Sequence, residues 1–354
     1  MNAIALLGID IDKHSFHLHG QDTQGHQVLR KKMSRGQLLS SLAQLPICTV
    51  VMESCGGAHW LAREIGALGH EVKLIAPQYV KPFVKGNKSD FIDAEAICEA
   101  ASRPTMRFFP IKTAEQQTLS ALHRVRGSLI EHRTAATNQI HEFLLEFGIS
   151  LPIGVTALHR VPELLDDPRH PVPLRLKGLL MCLYYQIQQL TDEIKDIESD
   201  LKQQLKEDDA GQRLQSIPGI GPITASAVLA DVGDVSRYRS GRDFAASLGL
   251  VPRQYSTGGK TVLMGTSKRG DKHIRQLLVQ GARGIMRHID KREDALGPWV
   301  QELLRRRHSN IVACALANKL ARIVWAVLTK GSQYDPHPNA GTYSVTTGFC
   351  VVTD

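Results

Sequence analysis

Four acids occupy positions where a carboxylate is costly unless it is used. Asp10 closes the apolar run "IALLGIDI", Glu53 closes "CTVVMES", and Asp90 and Asp93 stand three apart in "KGNKSDFIDAEA". A carboxylate directly after a buried strand needs a partner or a cation. In a helix opening near Ser89, residues 90 and 93 share one face. Two acids from strand ends and two from one helix face can converge on a pair of hard divalent cations, Mg2+ or Mn2+, which take oxygen ligands. Such a centre activates an attacking oxygen and stabilises a leaving one in phosphoryl transfer. Each acid also has a plainer role: Ser89 with Asp90 reads as a helix cap with a first-turn acid. Asp12 and Glu95 share that ambiguity, and Lys85 and Lys88 flank the place where a phosphate would arrive.

A second set of reactive residues lies in "PRQYSTGGKTVLMGTSKRGDKHIRQLLVQGARGIMRHI". Ser256 and Thr257 precede Gly258 and Gly259, in a loop where a hydroxyl is exposed and the backbone can approach a ligand. A hydroxyl there is a candidate nucleophile toward a phosphodiester, and a turn-forming Ser-Thr pair explains the same residues. Lys268, Lys272, Arg275, Arg283 and Arg287 are expected on one side of a helix, a stripe suited to a phosphate backbone. Upstream, "IPGIGPITASAVLA" resembles the hairpin of helix-hairpin-helix DNA binders, where Gly219 and Gly221 would bring backbone N–H groups to a phosphate; a structural hairpin of two helices accounts for the pattern as well. The candidate nucleic-acid contacts are Gly219, Gly221, Lys260, Lys268, Arg269, Lys272 and Arg275.

These residues require elements to hold them. "IALLGIDI", "SFHLHGQD" and "HQVLRKKM" read as a three-strand meander; a helix, the strand "CTVVMES", a second helix and the strand "HEVKLIA" follow. Strands alternating with helices after a meander predict an α/β domain with a mixed sheet. Acids at strand ends and paired on a helix occur in the order expected of a ribonuclease H-like sheet. From Thr113 to Phe147 apolar residues recur at helical spacing without a proline, and after a proline-rich break a second long helix is expected from about Leu174 to Glu207. The pair predicts a coiled coil, within or between chains, or a helical hairpin. Further helices are expected over 241–250 and near 271–289, 298–307 and 310–329, and the tail from Gly331 has no periodicity and is expected to be mobile.

The chain has 354 residues, 42% of them hydrophobic, and a net charge of +8. Sixteen Lys or Arg face five acids between Arg253 and Lys330, a surplus of eleven cations that leaves the remainder near −3. That asymmetry predicts a polyanion partner for the C-terminal half. Six scattered cysteines form neither a disulfide framework nor a zinc motif, and no signal peptide or stretch near twenty uncharged apolar residues is found, so a cytoplasmic, nucleoid-associated protein without a membrane partner is expected. No Ser-His-Asp spacing supports hydrolase chemistry. A sugar kinase or actin-like ATPase also opens on a Gly-Ile-Asp strand, but it needs a second Asp-x-Gly hairpin that is missing here.

Together, "GIDIDK", "VVMES", "NKSDFIDAEAI", "SIPGIGPITASAVLA" and "LGLVPRQYSTGGK…GTSKRGDKHIRQLLV" resemble the DEDD transposases of insertion sequences, over nearly the whole chain up to about residue 330. The resemblance implies a ribonuclease H-like, Holliday junction resolvase-like domain at 1–112, a coiled-coil oligomerisation segment at 113–208, and a mostly α transposase domain with a helix-hairpin-helix-like motif at 209–330. Residues 331–354 form the tail. It implies that Asp10, Glu53, Asp90 and Asp93 bind Mg2+ or Mn2+ for strand cleavage, and that Ser256 is the nucleophile, with Thr257 the alternative because it directly precedes Gly258. It further implies donor and target DNA, a noncoding guide RNA that pairs with both, and a homo-oligomer, dimer or tetramer, whose active sites combine the acids of one subunit with the serine of another. Rival expectations are a junction-resolving nuclease acting by water attack and a noncatalytic nucleic-acid-binding protein.

Overall fold

The computed structural model describes residues 3–86 and 89–337; Lys88 and the tail from residue 338 onward lie outside the described residues. The chain divides into two compact units between Glu115 and Gln116.

The N-terminal unit is built on the antiparallel meander β1 (Leu6–Ile11), β2 (Ser15–Gln21) and β3 (Gln27–Ser34). It continues through α1 (Arg35–Leu42), β4 (Thr49–Glu53), α2 (Ala58–Ala67), β5 (Glu71–Ile75), α3 (Pro77–Val80), α4 (Asp90–Ala101) and β6 (Phe108–Phe109). Among the described residues the sheet order is β3-β2-β1-β4-β5-β6, with β1, β4 and β5 parallel and the others antiparallel to their neighbours. This is the expected mixed sheet. Alternation along the strands sends side chains to two layers. Leu7, Ile9, Val50, Met52 and Leu74 form one core with Leu38 of α1 and Leu61 and Ile65 of α2. Val51 and Ile75 form the other with Ile97 and Ala100 of α4. Edge strand β3 carries Arg30, Lys31 and Lys32, charges that discourage pairing with another chain.

Helix α4 lies flush on β1 because of one residue. A Cβ at Gly8 would stand 2.5 Å from the Ala94 carbonyl oxygen and 2.8 Å from Cys98 Sγ. Leu7 and Ile9 face the α1–α2 layer, so Gly8 and Asp10 share the α4 face. The helix therefore passes over Gly8 and brings its first turn toward Asp10.

In the C-terminal unit the long helices are α5 (Ala114–Leu145) and α7 (Leu174–Glu207), with short α6 (Val161–Asp166) between them. Arg126 Nη2 donates to Glu198 Oε1 at 2.6 Å, while Ala136, Ile140 and Leu144 pack with Leu180, Tyr184 and Ile187. The two helices thus run antiparallel against each other within one chain. There follow α8 (Asp209–Gln215), α9 (Pro222–Val232), α10 (Gly241–Ser247), the two-stranded ribbon β7 (Pro252–Gln254) and β8 (Leu263–Thr266), α11 (Lys272–Met286), α12 (Leu296–Arg306) and α13 (Ser309–Lys330). By length and composition α13 could cross a membrane, but Leu316, Leu320, Val324 and Val327 pack with Leu214, Phe244 and Leu278 as the centre of the unit's core. The ribbon β7–β8 was not anticipated in the turn-rich stretch. Its strands are three and four residues long and none of their residues is buried, so no buried alternation marks them.

Candidate active site

Helix α4 starts where the sequence suggests. The Ser89 carbonyl accepts from the amides of Ile92 (2.8 Å) and Asp93 (2.9 Å), and the Ser89 side chain makes no capping bond. The first turn leaves Asp90 exposed and Asp93 half-buried. One carboxylate oxygen each from Asp10, Asp90 and Asp93 lies within 4.8 Å of the others. Burial, then the charges of Asp93 and Asp90, push the Asp10 carboxyl up to about 6. At such a spacing two ionised carboxylates repel by roughly 3–4 kcal/mol at an effective dielectric near 20. A hard divalent cation relieves both causes, and three oxygen donors are the ligand chemistry it takes.

Glu53 is not a member of that three-oxygen group. It ends β4 one step beyond the last β1–β4 pair, Ile9 with Met52, and its face is that of Val51, the α4 face. Both Glu53 and Asp10 add to the burial that raises the Cys55 thiol, so their charges share one neighbourhood. Asp12 accepts the amide of Lys13 at 2.6 Å, a turn role, and Glu95 and Lys85 are exposed.

Sequence reasoning missed His17. The three-residue connection between β1 and β2 sets the register in which Asp10 pairs directly with His17. His17 is 3% exposed, and its Nδ1 is 3.6 Å from Asp90 Oδ2. Counting outward from that short turn would have found it.

In the C-terminal unit Ser256 and Thr257 are exposed near the tip of the β7–β8 ribbon. Gly258 (φ 55°) and Gly259 (φ 78°) supply two successive left-handed residues, and the Thr257 carbonyl accepts from the Lys260 amide at 3.0 Å. That is the two-residue hairpin in which glycine is the residue with no steric cost. Gln254 Nε2 donates to Ser256 Oγ at 2.8 Å. Sequence reasoning missed Gln254 because the ribbon itself was not foreseen.

The cationic stripe differs from expectation. Lys268 precedes α11, in a loop where it adopts φ 55°. Arg275 is half-buried and spent on the carbonyls of Leu248 (2.8 Å) and Asp271 (3.3 Å). Lys260, Arg269, Lys272, Arg283 and Arg287 are exposed, and the last two border an open cleft with Met286, Ser309 and Asn310. Gly219 (φ 77°) turns the chain between α8 and α9, and a Cβ there would stand 2.8 Å from the Gly281 carbonyl oxygen of α11. Its lack of a side chain is explained by backbone packing within the unit. Gly221 has open space around it.

Two family profiles match the chain: one described as "Transposase" matches residues 7–149, and one described as "Transposase IS116/IS110/IS902 family" matches residues 211–296. The transposase for insertion sequence element IS1328 of Yersinia enterocolitica is 54% identical over 334 residues, covering 94% of this chain and 99% of that protein. A probable family 20 transposase of Pseudomonas aeruginosa is 48% identical, with the same coverage of both chains. The transposase for insertion sequence element IS1111A of Coxiella burnetii is 43% identical, covering 94% of this chain and 92% of that protein. With both profiles matched in order and relatives similar along almost their full lengths, the chain belongs to the IS116/IS110/IS902 family of insertion-sequence transposases.

Proposed function

We propose that the protein cuts and rejoins DNA strands through a phosphoserine intermediate, using Asp10, Glu53, Asp90 and Asp93 to hold divalent metal and Ser256 as nucleophile. The observation that carries the metal half is the three-carboxylate cluster within 4.8 Å, with Asp10 raised to about 6 by burial and its neighbours. Sheet order 3-2-1-4-5 with an antiparallel first hairpin supports a ribonuclease H-like reading of the N-terminal unit. The turn between α8 and α9 supports a helix-hairpin-helix-like one at 216–232.

Ser256 Oγ gives up its proton to solvent and forms a phosphoester bond with the scissile phosphorus, while the P–O bond to the strand end breaks and the displaced oxygen takes up a proton from solvent. The ester keeps the bond energy for rejoining when a second strand end attacks it. Gln254 holds the serine oxygen but cannot accept its proton, since its amide is the donor in their contact. A bound divalent cation supplies Lewis acidity toward the phosphate and lowers the pKa of an attacking hydroxyl. Exposed Lys260, Arg269, Lys272, Arg283 and Arg287 are the phosphate contacts of the donor and target duplexes.

The resemblance adds a noncoding guide RNA and a dimer or tetramer. The eleven-cation surplus over 253–330 supports a polyanion partner of either kind. Leu145, Ile153, Leu174, Leu179 and Tyr185, exposed around the far end of the α5–α7 pair, support an oligomerisation role for 113–208.

The test traps the protein on a nicked target duplex with its co-purified RNA and looks for a covalent adduct stable to denaturant. Ser256→Ala is expected to form none, and Thr257→Val to retain it. An adduct from Ser256→Ala but not from Thr257→Val would transfer the nucleophile to Thr257, and cleavage without any adduct would favour water attack.

A further inference from the structure

The acid cluster has a neighbour that neither the carboxylate pattern nor the family match brings with it. His17 stands opposite Asp10 in the β1–β2 register, so its side chain shares the α4 face. It is 3% exposed, and its Nδ1 is buried without a hydrogen-bond partner. A buried ring nitrogen without a partner calls for an explanation in a native fold. One side of the ring is held. Phe91 of α4 meets it edge-on, with centroids 4.7 Å apart and planes at 76°, and the Arg30 guanidinium covers Phe91 at 4.2 Å. Phe91 and the burial of the ring confine the imidazole beside the first turn of α4. Asp90 Oδ2, 3.6 Å from Nδ1, is a side chain on an exposed first turn with room to close that gap.

We propose that His17 is the positioning residue of the acid cluster: its Nδ1–H holds Asp90 Oδ2, leaving the other lone pairs of Asp90 to converge with Asp10 and Asp93 on a divalent cation. The inference rests on the cation-binding reading of those three acids. His17 is not itself a member of the three-oxygen group, so its role is to orient a ligand. Carboxylate ligands are commonly fixed by such an outer hydrogen bond, and loss of one weakens metal binding by about 10- to 100-fold. Among the described residues, His17 is the cationic or donor side chain paired with Asp90.

The experiment measures Mn2+ binding to the full chain by electron paramagnetic resonance of the free ion, with melting curves taken in parallel without metal. The variants are Asp10→Asn, His17→Leu, His17→Asn and His17→Gln. An Asn amide places its N–H near the position of Nδ1 and a Gln amide near Nε2, so the pair reads the site of the donor and not the size of the residue. Wild type should bind, Asp10→Asn should lose the site, His17→Leu and His17→Gln should bind about tenfold more weakly or worse, and His17→Asn should remain close to wild type. If His17→Leu does not fold, the Asn and Gln proteins decide the matter between them. Equal affinity in wild type, Leu and Gln proteins, or an Asn protein as weak as the Gln one, would overturn the His17 role while sparing the metal site. Wild-type binding that is absent or insensitive to Asp10→Asn would overturn the cation reading and this inference with it.

Discussion

Gly8 of β1 and Ala94 of α4 meet backbone to backbone: a Cβ on Gly8 would stand 2.5 Å from the Ala94 carbonyl oxygen. The contact sets the height at which α4 crosses the sheet, and therefore where Asp90 and Asp93 stand above Asp10. Gly8→Val is expected to cost about 1–3 kcal/mol by overpacking and to weaken divalent-cation binding as well. Urea denaturation and Mn2+ titration of the same protein check the pair of effects; a loss of stability with unchanged metal affinity would separate the helix height from the site.

Asp90→Ala and Asp93→Ala should each lower strand cleavage by about a hundredfold or more, the equivalent of losing about 3 kcal/mol of transition-state stabilisation. The fold should survive, because both side chains lie at the start of α4 and neither is buried. Nicking of a supercoiled plasmid and far-ultraviolet circular dichroism measure the two outcomes.

Stability without metal should depend on pH through Asp10. Its folded value, about 6, lies above the ordinary 3.8, so the ionised form is the disfavoured one in the folded chain. Its contribution is fully present below the ordinary value and is lost as pH rises through about 6. Bound Mg2+ or Mn2+ reverses that loss and competes with the proton for the same oxygen. Melting-temperature gains from millimolar metal should therefore grow from about pH 5 to about pH 7, and shrink in Asp10→Asn.

His123 gives the opposite sign in the C-terminal unit. It is 3% exposed and 3.1 Å from Ser226 Oγ; burial, then the neighbouring His273 and Arg126, lower it to about 4 from 6.5, with Asp231 opposing. The unfolded chain takes up the proton first, so this contribution is intact above pH 6.5 and is lost as pH falls through about 4. The loss is on the order of 2–3 kcal/mol. Denaturation of wild type and His123→Asn across this range should give a difference that narrows toward acid.

Gly258→Val and Gly259→Val should each strain the ribbon tip by about 1–2 kcal/mol, because both positions need left-handed backbone. The ribbon is exposed and contributes little to the unit's core, so the melting temperature should hold while adduct formation falls. A drop in melting temperature of several degrees would show that the ribbon carries more of the fold than its exposure indicates.

The elements legible in the sequence are those whose pattern is long or regular. The meander, the buried strand at 49–53 and the helices at 114–145 and 174–207 all announce themselves by period. The acids were visible for the same reason: a carboxylate ending an apolar strand stands out. What escaped were relationships between segments. His17 depends on a hairpin register, Arg275 turns inward to carbonyls 27 and 4 residues away, and Gly219 answers to Gly281. The β7–β8 ribbon escaped because two strands of three and four residues, with none of their side chains buried, are too short to show an alternating pattern.

The three clustered acids come from places of unequal permanence. Asp10 belongs to a strand paired on both sides, where opening the backbone costs much of the domain's stability. Asp90 and Asp93 belong to the first turn of a helix held by the Ser89 carbonyl and by no capping side chain, where fraying costs little. The centre is therefore half fixed and half loose, and its loose half is tightened by whatever occupies it. Amide exchange at Phe91 to Ala94 should slow when metal is added while exchange at Ile9 to Ile11 stays as it was, making the start of α4 the part of the protein that registers whether it is loaded.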